Sequence, residues 1–180
     1  MHLDGDNTVT FRVLLAGYRA AFGRLEDARL SKDAAATFMP LFETLHWLVA
    51  LDDQADARLA PTGEPKRPKW WTELTDGRHV QAVRHARNRV HHQWADALKL
   101  AEGGTTFPMT FPLVFHEWCW RPSSDLPAGW PDAEGQSAYD ELLAGSPTRH
   151  GLRTLGELYA RLTDLLVPQL PPAENSNPPQ

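Results

Sequence analysis

The stretch RHVQAVRHARNRVHH, Arg78–His92, is the most informative part of this chain of 180 residues. It holds four arginines, four histidines and no acid, whereas the whole sequence has a formal net charge of -5. Its apolar residues recur at helical spacing and predict one buried face, made of Val80, Val83, Val90, Trp94 and Leu98. The pattern therefore predicts a helix from near Asp76 to about Leu100, ended by the pair Gly103 and Gly104.

Helical periodicity also precedes this stretch. It predicts one helix over Thr8–Leu30 and a second from an N-cap at Ser31 to about Leu59. Pro40 lacks an amide donor and clashes with the preceding turn, so we expect a kink or a restart there. The proline-containing stretch 61–68 predicts a connector to the basic helix.

Two further helices are expected after the basic stretch. The sequence predicts a short helix over Gln136–Ala144, ended by Gly145, and an amphipathic helix over Leu152–Val167. Helices therefore dominate, and the expected fold class is all-α, a helical bundle. We expect a single helical domain over 1–167 and a disordered, proline-rich tail over 168–180.

An aromatic and proline-rich insertion over about 105–134 separates the basic helix from the last two helices. A structureless loop of that length is unusual in a compact domain, so we expect an ordered insertion laid over the helices. A short strand pair around Val114–Trp120 fits this segment. Its aromatic side chains are expected to be buried by packing, and the alternative is a platform on which nucleic-acid bases stack.

Composition limits the classes of function. A hydrophobic content of 42%, a charged content of 23% and a net charge of -5 suit a globular domain and argue against a surface devoted to long-range nucleic-acid binding. The single cysteine, Cys119, excludes an internal disulfide and suits a reducing compartment. The first residues contain no apolar signal segment and no run suggests a membrane span, so we expect a cytoplasmic protein with no membrane partner.

Arg87 lies on the otherwise apolar face of the predicted basic helix. Burying a charge without a partner is unfavourable, so this position needs an explanation. The arginine can pair with an acid from another helix, reach the edge of the core with its charged end, or line a polar cleft, including one between two protomers.

The residues Arg87-Asn88-Arg89-Val90-His91-His92 resemble the signature of the HEPN family. That signature is an arginine, then a polar residue such as Asn, then a histidine after four to six intervening positions; Arg87 and His92 have four between them. Arg84 with His91 and Arg78 with His85 satisfy looser versions of it. The resemblance is sharp around the motif and architectural over Thr8–Leu100.

The HEPN resemblance implies a dimeric, metal-independent endoribonuclease acting on RNA, of the kind found in toxins and defence effectors, with an antitoxin or other protein as a possible partner. It implies acid/base work for His92, phosphate stabilisation for Arg87, and orientation or substrate binding for Asn88. The neighbouring residues expected to bind substrate are Arg84, His85, Arg89 and His91. Two protomers would bring two copies of the motif together, although residues five apart on one helix point about 140° away from each other.

The chemistry of these residue types suits RNA cleavage. A histidine changes charge near neutral pH and can remove the proton of a 2′-hydroxyl or protonate the leaving oxygen. An arginine stabilises charge on phosphate oxygens without a metal. DNA lacks the 2′-hydroxyl and would not react by this route.

Other functions remain open at this level. The same groove can bind RNA, a nucleotide or a protein without turnover, or the histidines can be incidental in a structural helical protein. A metal site formed by His92 with Asp96 or His85 is disfavoured because the neighbouring arginines repel a cation, and Glu43 with His46 lacks the second copy that a di-iron bundle needs. We therefore expect neither a metal nor a cofactor.

Overall fold

The computed structural model describes residues 5–29, 31–59, 77–94, 96–105 and 113–166. Within these ranges the chain forms a mostly helical bundle with one small antiparallel hairpin, as expected for the fold class. The helices are α1 (Gly5–Ala28), α2 (Ala34–Leu59), α3 (Gly77–Gln93), α4 (Ala133–Leu142) and α5 (Thr148–Leu166). Strands β1 (Leu98–Thr105) and β2 (Leu113–Trp120) lie between α3 and α4, and a short 3-10 turn, Ser123–Asp125, follows β2. The connector 61–68, the tail 168–180 and part of the insertion lie outside the described residues.

One apolar core joins the helices. α2 packs against α1 and α3, α3 packs against α4, and α5 closes the bundle on α1. The periodic leucines of α2 are buried as predicted, together with Val80, Val83 and Val90 of α3. At the contact between α1 and α5, Tyr18 donates a hydrogen bond from its hydroxyl to the Leu152 carbonyl at 2.7 Å, and its ring lies so close to Gly156 that a Cβ there would be 2.4 Å away.

The basic helix is shorter than the sequence predicts. It ends at Gln93, and Trp94 adopts a positive φ of 52°, the only such non-glycine residue in the described ranges. Residues expected in its last turns instead form β1, where Leu98 is buried, Lys99 is exposed and Leu100 is half-buried. The prediction failed because Val90, Trp94 and Leu98 keep a spacing of four across the break, which imitates a continuous helix. Gly103 and Gly104 therefore lie inside a strand and do not end α3.

Only one strand of the expected pair lies in the predicted segment, and its partner comes from residues that the sequence assigned to the end of the basic helix. β2 covers the predicted segment and pairs antiparallel with β1, from Leu98 opposite Trp120 to Thr105 opposite Leu113. Trp118 and Trp120 are buried, as expected for packing aromatics. Trp130 is 90% exposed, so the expectation of burial is wrong for this residue.

Helix α2 begins at a different cap from the one predicted. Asp33 is the capping residue, because its Oδ1 accepts a hydrogen bond from the Ala35 amide at 2.9 Å. Ser31, the predicted cap, lies before it and accepts from the Asp33 amide at 3.1 Å. The helix neither stops nor restarts at Pro40, which lies in its second turn.

The two last helices begin earlier than predicted, at Ala133 and Thr148. Asp132 caps α4 by accepting from the Gly135 amide at 2.9 Å. Gly145 follows α4 with a φ of 75°, as the sequence predicts for a glycine after a helix end.

One segment, Ala34–Ala57 of α2, is long and apolar enough to cross a membrane by length and composition, which the sequence analysis did not anticipate. A core helix of a soluble protein passes the same test, and Leu41, Leu45 and Leu48 of this segment are buried in the bundle. The segment therefore argues only weakly for a membrane span.

Candidate functional site

A cleft lined mainly by polar residues opens between the C-terminal half of α3 and the loop before α4. Its cavity has a volume of about 370 Å³. The walls combine one face of α3 with four consecutive loop residues: His85, Asn88, Arg89, His92, Gln93, Gly129, Trp130, Pro131 and Asp132. Four of the seven site residues predicted from the sequence therefore share one cavity.

Arg87 and His92 meet at this cleft within one chain. Arg87 Nη1 lies 3.3 Å from His92 Nε2 and donates to Asn88 Oδ1 at 3.3 Å. The side chains meet although positions five apart on a helix point about 140° away from each other. A second protomer is not needed to bring the guanidinium to the imidazole.

Arg87 has no carboxylate partner among the described residues. Its Nε is buried and makes no hydrogen bond, and its Nη1 contacts only Asn88 and His92, both of which line the cavity. Of the three explanations for an arginine on the apolar face, the structure excludes an acid from another described helix. The guanidinium lies at the border of a polar cleft.

A second basic pair lies deeper in the cleft. Arg89 is only 9% exposed, and its Nε donates to Nε2 of the buried His85 at 3.4 Å. His85 Nδ1 faces Asp132 Oδ2 at 3.4 Å. Since Nε2 accepts from Arg89, the proton of a neutral His85 lies on Nδ1 and points to the carboxylate. Burial, followed by the charge of Arg89, lowers the pKa of His85, and Asp132 opposes this shift.

Gly129 allows the Arg89 guanidinium to approach the backbone of the loop. A Cβ on Gly129 would lie 1.7 Å from Arg89 Nη1, so only glycine leaves room for the guanidinium in this position. Gln93 secures the same loop by donating from Nε2 to the Ala128 carbonyl at 2.6 Å. Its Oε1 is then left buried without a hydrogen bond.

Arg84, expected to bind substrate, lies outside the cleft. Its Nε donates to Asp52 Oδ2 at 2.8 Å, and its Nη2 contacts both Asp52 and Asp53. Asp52 is 1% exposed and also accepts from the Tyr159 hydroxyl at 2.6 Å. Arg84 therefore pairs with a buried carboxylate of α2 and helps to hold α2, α3 and α5 together.

His91 also faces away from the cleft. Its ring stacks on Phe42 with 3.6 Å between ring centroids, and its Nε2 donates to the Phe42 carbonyl at 2.9 Å. The His46 ring also stacks on His91, with 5.7 Å between ring centroids. Burial lowers the pKa of His91, and the hydrogen bond to Phe42 opposes this. His91 therefore joins α3 to α2 and does not share the position of His92.

Stability is expected to fall in mildly acidic solution because of His85 and His91. Their pKa values are lowered in the folded protein, so the unfolded chain binds more protons. The contribution is complete above the unfolded pKa of about 6.5 and is lost as the pH falls toward the lower folded values. Urea unfolding at pH 7.5 and pH 5.5 measures it. Replacing both by Gln should flatten this dependence, whereas changing the exposed His150 to Gln should leave it intact; equal slopes in all three proteins would contradict this prediction.

Sequence reasoning missed the loop side of the cleft. Asp132 carried a usable signal, because an Asp directly before a helix is a favourable N-cap. Gly129 and Trp130 carried none, since their role depends on the fold bringing the loop to α3. Gln93 was not predicted as a site residue because the sequence indicated that α3 continues to Leu100.

No group of three or more His, Cys, Asp or Glu residues in the described ranges is placed to hold a metal ion. Within those ranges Glu43 forms an ion pair with Arg24 of α1, and His46 packs between Trp47 and His91. Cys119 is a free, buried thiol whose pKa is raised by burial.

Comparison of this chain with protein-family models, with curated proteins and with solved structures gave no match.

Proposed function

We propose that this chain is a metal-independent endoribonuclease that cleaves RNA by attack of a 2′-hydroxyl on the adjacent phosphate. The observation that carries the proposal is the 3.3 Å approach of Arg87 Nη1 to His92 Nε2 beside an open polar cavity. This distance supports the proposal, because a single phosphate bound there could contact both residues that the HEPN resemblance assigns to the reaction.

Three residues have separate roles in this reaction. The 2′-oxygen bonds to phosphorus, the bond to the 5′-oxygen breaks, and the products carry a 2′,3′-cyclic phosphate and a 5′-hydroxyl. His92 takes the 2′-hydroxyl proton or delivers one to the leaving 5′-oxygen. Arg87 stabilises the charge that develops on the phosphate oxygens. Asn88, which accepts from Arg87, orients the guanidinium.

The state of the Arg87 side chain supports this assignment. A guanidinium that lacks a carboxylate and keeps a buried Nε without a partner loses hydrogen bonds that it had in water. A phosphate at the cleft would compensate the charge through charge-assisted bonds to the terminal nitrogens of the guanidinium. Arg84, by contrast, is already neutralised by Asp52 and Asp53 and offers nothing to a substrate.

The test is cleavage of matched single-stranded RNA and DNA by the purified full chain in EDTA. We expect the RNA to be cut and the DNA to remain intact, because only RNA supplies the 2′-hydroxyl. Cleavage of both substrates, or cleavage of RNA that stops in EDTA, would contradict the proposal. RNA bound but not cut would favour the second function, a domain of HEPN type that binds RNA, a nucleotide or a protein without turnover.

A homodimer is part of the proposal, because it would place two Arg87–His92 pairs around one strand and supply a second histidine for the opposite proton transfer. Mixing inactive Arg87→Ala and His92→Ala proteins tests its arrangement. Since the pair forms within one chain, the mixed dimers should remain inactive. Recovery of cleavage on mixing would show that the arginine and histidine come from different protomers.

A further inference from the structure

We infer that the cavity lined by Arg89 and Trp130 is a subsite for one unpaired nucleotide of the RNA, with its phosphate on Arg89 and its base stacked on Trp130. The inference rests on the proposed function for its physiological ligand. The site itself is expected to bind a nucleoside monophosphate, and this binding can be measured without any RNA cleavage.

Arg89 provides the positive charge for the phosphate. This side chain is more than nine-tenths buried, and no carboxylate among the described residues lies within ion-pair distance of it. Its one hydrogen bond goes from Nε to the neutral partner His85. A buried cation needs a compensating charge, and a guanidinium binds phosphate oxygens in two-point geometry. The cavity beside it is therefore suited to an anion.

Asp132 does not supply that compensation. Its Oδ1 accepts from the Gly135 amide at 2.9 Å, and its Oδ2 faces His85 Nδ1. The carboxylate is thus engaged in capping α4 and in holding His85, while Nη1 of Arg89 lies against Gly129 on the loop.

Trp130 provides the surface for the base. It lines both the main cavity and an adjoining one of about 300 Å³, yet it is 90% exposed. A tryptophan left in solvent beside a buried, unpaired arginine offers the flat surface on which any unpaired base stacks. The volume of the main cavity, about 370 Å³, lies in the range of small-molecule sites.

Gln93 holds the loop wall of the cavity against α3. Its amide nitrogen donates to the Ala128 carbonyl, and its Oε1 is buried. Asn88 lies on the same cavity wall and links the subsite to Arg87. A nucleotide here would lie next to the phosphate that is cleaved.

Calorimetric titration of the full chain with adenosine 5′-monophosphate, adenosine and inorganic phosphate tests the subsite. We expect the monophosphate to bind at least tenfold more tightly than either fragment. Trp130→Ala should weaken it roughly tenfold, Trp130→Phe should retain most of the affinity, and Trp94→Ala, which removes an exposed tryptophan outside this cavity, should have no effect. Equal binding of all three compounds, or equal losses in both alanine variants, would overturn the inference.

Arg89→Gln should reduce monophosphate binding to the level of adenosine. If this buried substitution prevents folding, Gly129→Ala replaces it, because the added Cβ displaces the guanidinium and keeps its charge. Unchanged monophosphate affinity in a folded variant of either kind would overturn the role of Arg89.

The RNA assay separates this inference from the nuclease proposal. With RNA as substrate, Trp130→Ala should raise KM and leave kcat nearly unchanged. A nucleotide that binds as described to a chain without RNA cleavage would contradict the nuclease alone. Normal cleavage with an unchanged KM in Trp130→Ala would contradict the subsite alone.

Discussion

Replacing Asp52 by Ala is expected to lower the free energy of unfolding by about 3 kcal/mol, the lower end of the range for breaking a buried ion pair. Asp52 is 1% exposed and accepts hydrogen bonds from Arg84 and from the Tyr159 hydroxyl, so its loss removes the buried carboxylate that joins α3 and α5 to α2. The loss is expected at the lower end of that range because Arg84 still contacts Asp53 and because the Arg84 side chain is 32% exposed. Urea unfolding at neutral pH measures the difference.

Asp53 provides the matched control. It contacts the same arginine, but its side chain is 59% exposed, and exposed ion pairs contribute roughly 0–1 kcal/mol. Asp53→Ala should therefore unfold nearly like the unmodified protein. Similar losses of stability in the two variants would contradict the assignment of Asp52 as the buried centre that joins α2, α3 and α5.

Replacing His92 by Ala is expected to lower kcat for RNA cleavage by about 100-fold or more, the usual contribution of an acid/base group. Arg87→Ala should produce a similar loss, since removing one donor that stabilises a developing oxyanion costs about 100-fold to 1,000-fold in rate. His92 is exposed and Arg87 is half-buried without an ion pair to any described residue, so the fold should survive either substitution. Single-turnover kinetics on one RNA oligonucleotide in EDTA gives the rates, and circular dichroism verifies the fold.

The controls for these variants are Arg19→Ala and His150→Ala, which remove exposed side chains far along the chain from the cleft. Both should cleave RNA at the rate of the unmodified protein. Activity that survives Arg87→Ala and His92→Ala would assign the cleavage to another site or to a contaminant. An equal loss in the controls would show that the effect is not specific to the pair.

The sequence indicated the helical bundle well because periodic burial is a local property. The leucines of α2 and the valines of α3 lie in the core where their spacing places them. It failed where tertiary contacts decide the structure. The positive φ of Trp94 ends α3 although the apolar spacing continues, and the residues beyond it pair with β2.

The candidate site was predicted in part for the same reason. A motif specifies residue types at a fixed spacing along one helix. It predicted Arg87, Asn88 and His92, whose side chains contact one another in the structure. It could not separate these from Arg84 and His91, whose partners lie on α2. The loop side of the cleft depends on the packing of α4 against α3, which no pattern in the sequence indicated.

The chemical nature of the new RNA ends formed in EDTA tests the central proposal most directly. If Arg87 and His92 promote attack by the neighbouring 2′-hydroxyl, the upstream product must end in a 2′,3′-cyclic phosphate and the downstream product must begin with a 5′-hydroxyl. Mass spectrometry of the fragments distinguishes these ends. Products that carry a 5′-phosphate and a 3′-hydroxyl would require water or a metal-bound hydroxide as the nucleophile and would contradict the account.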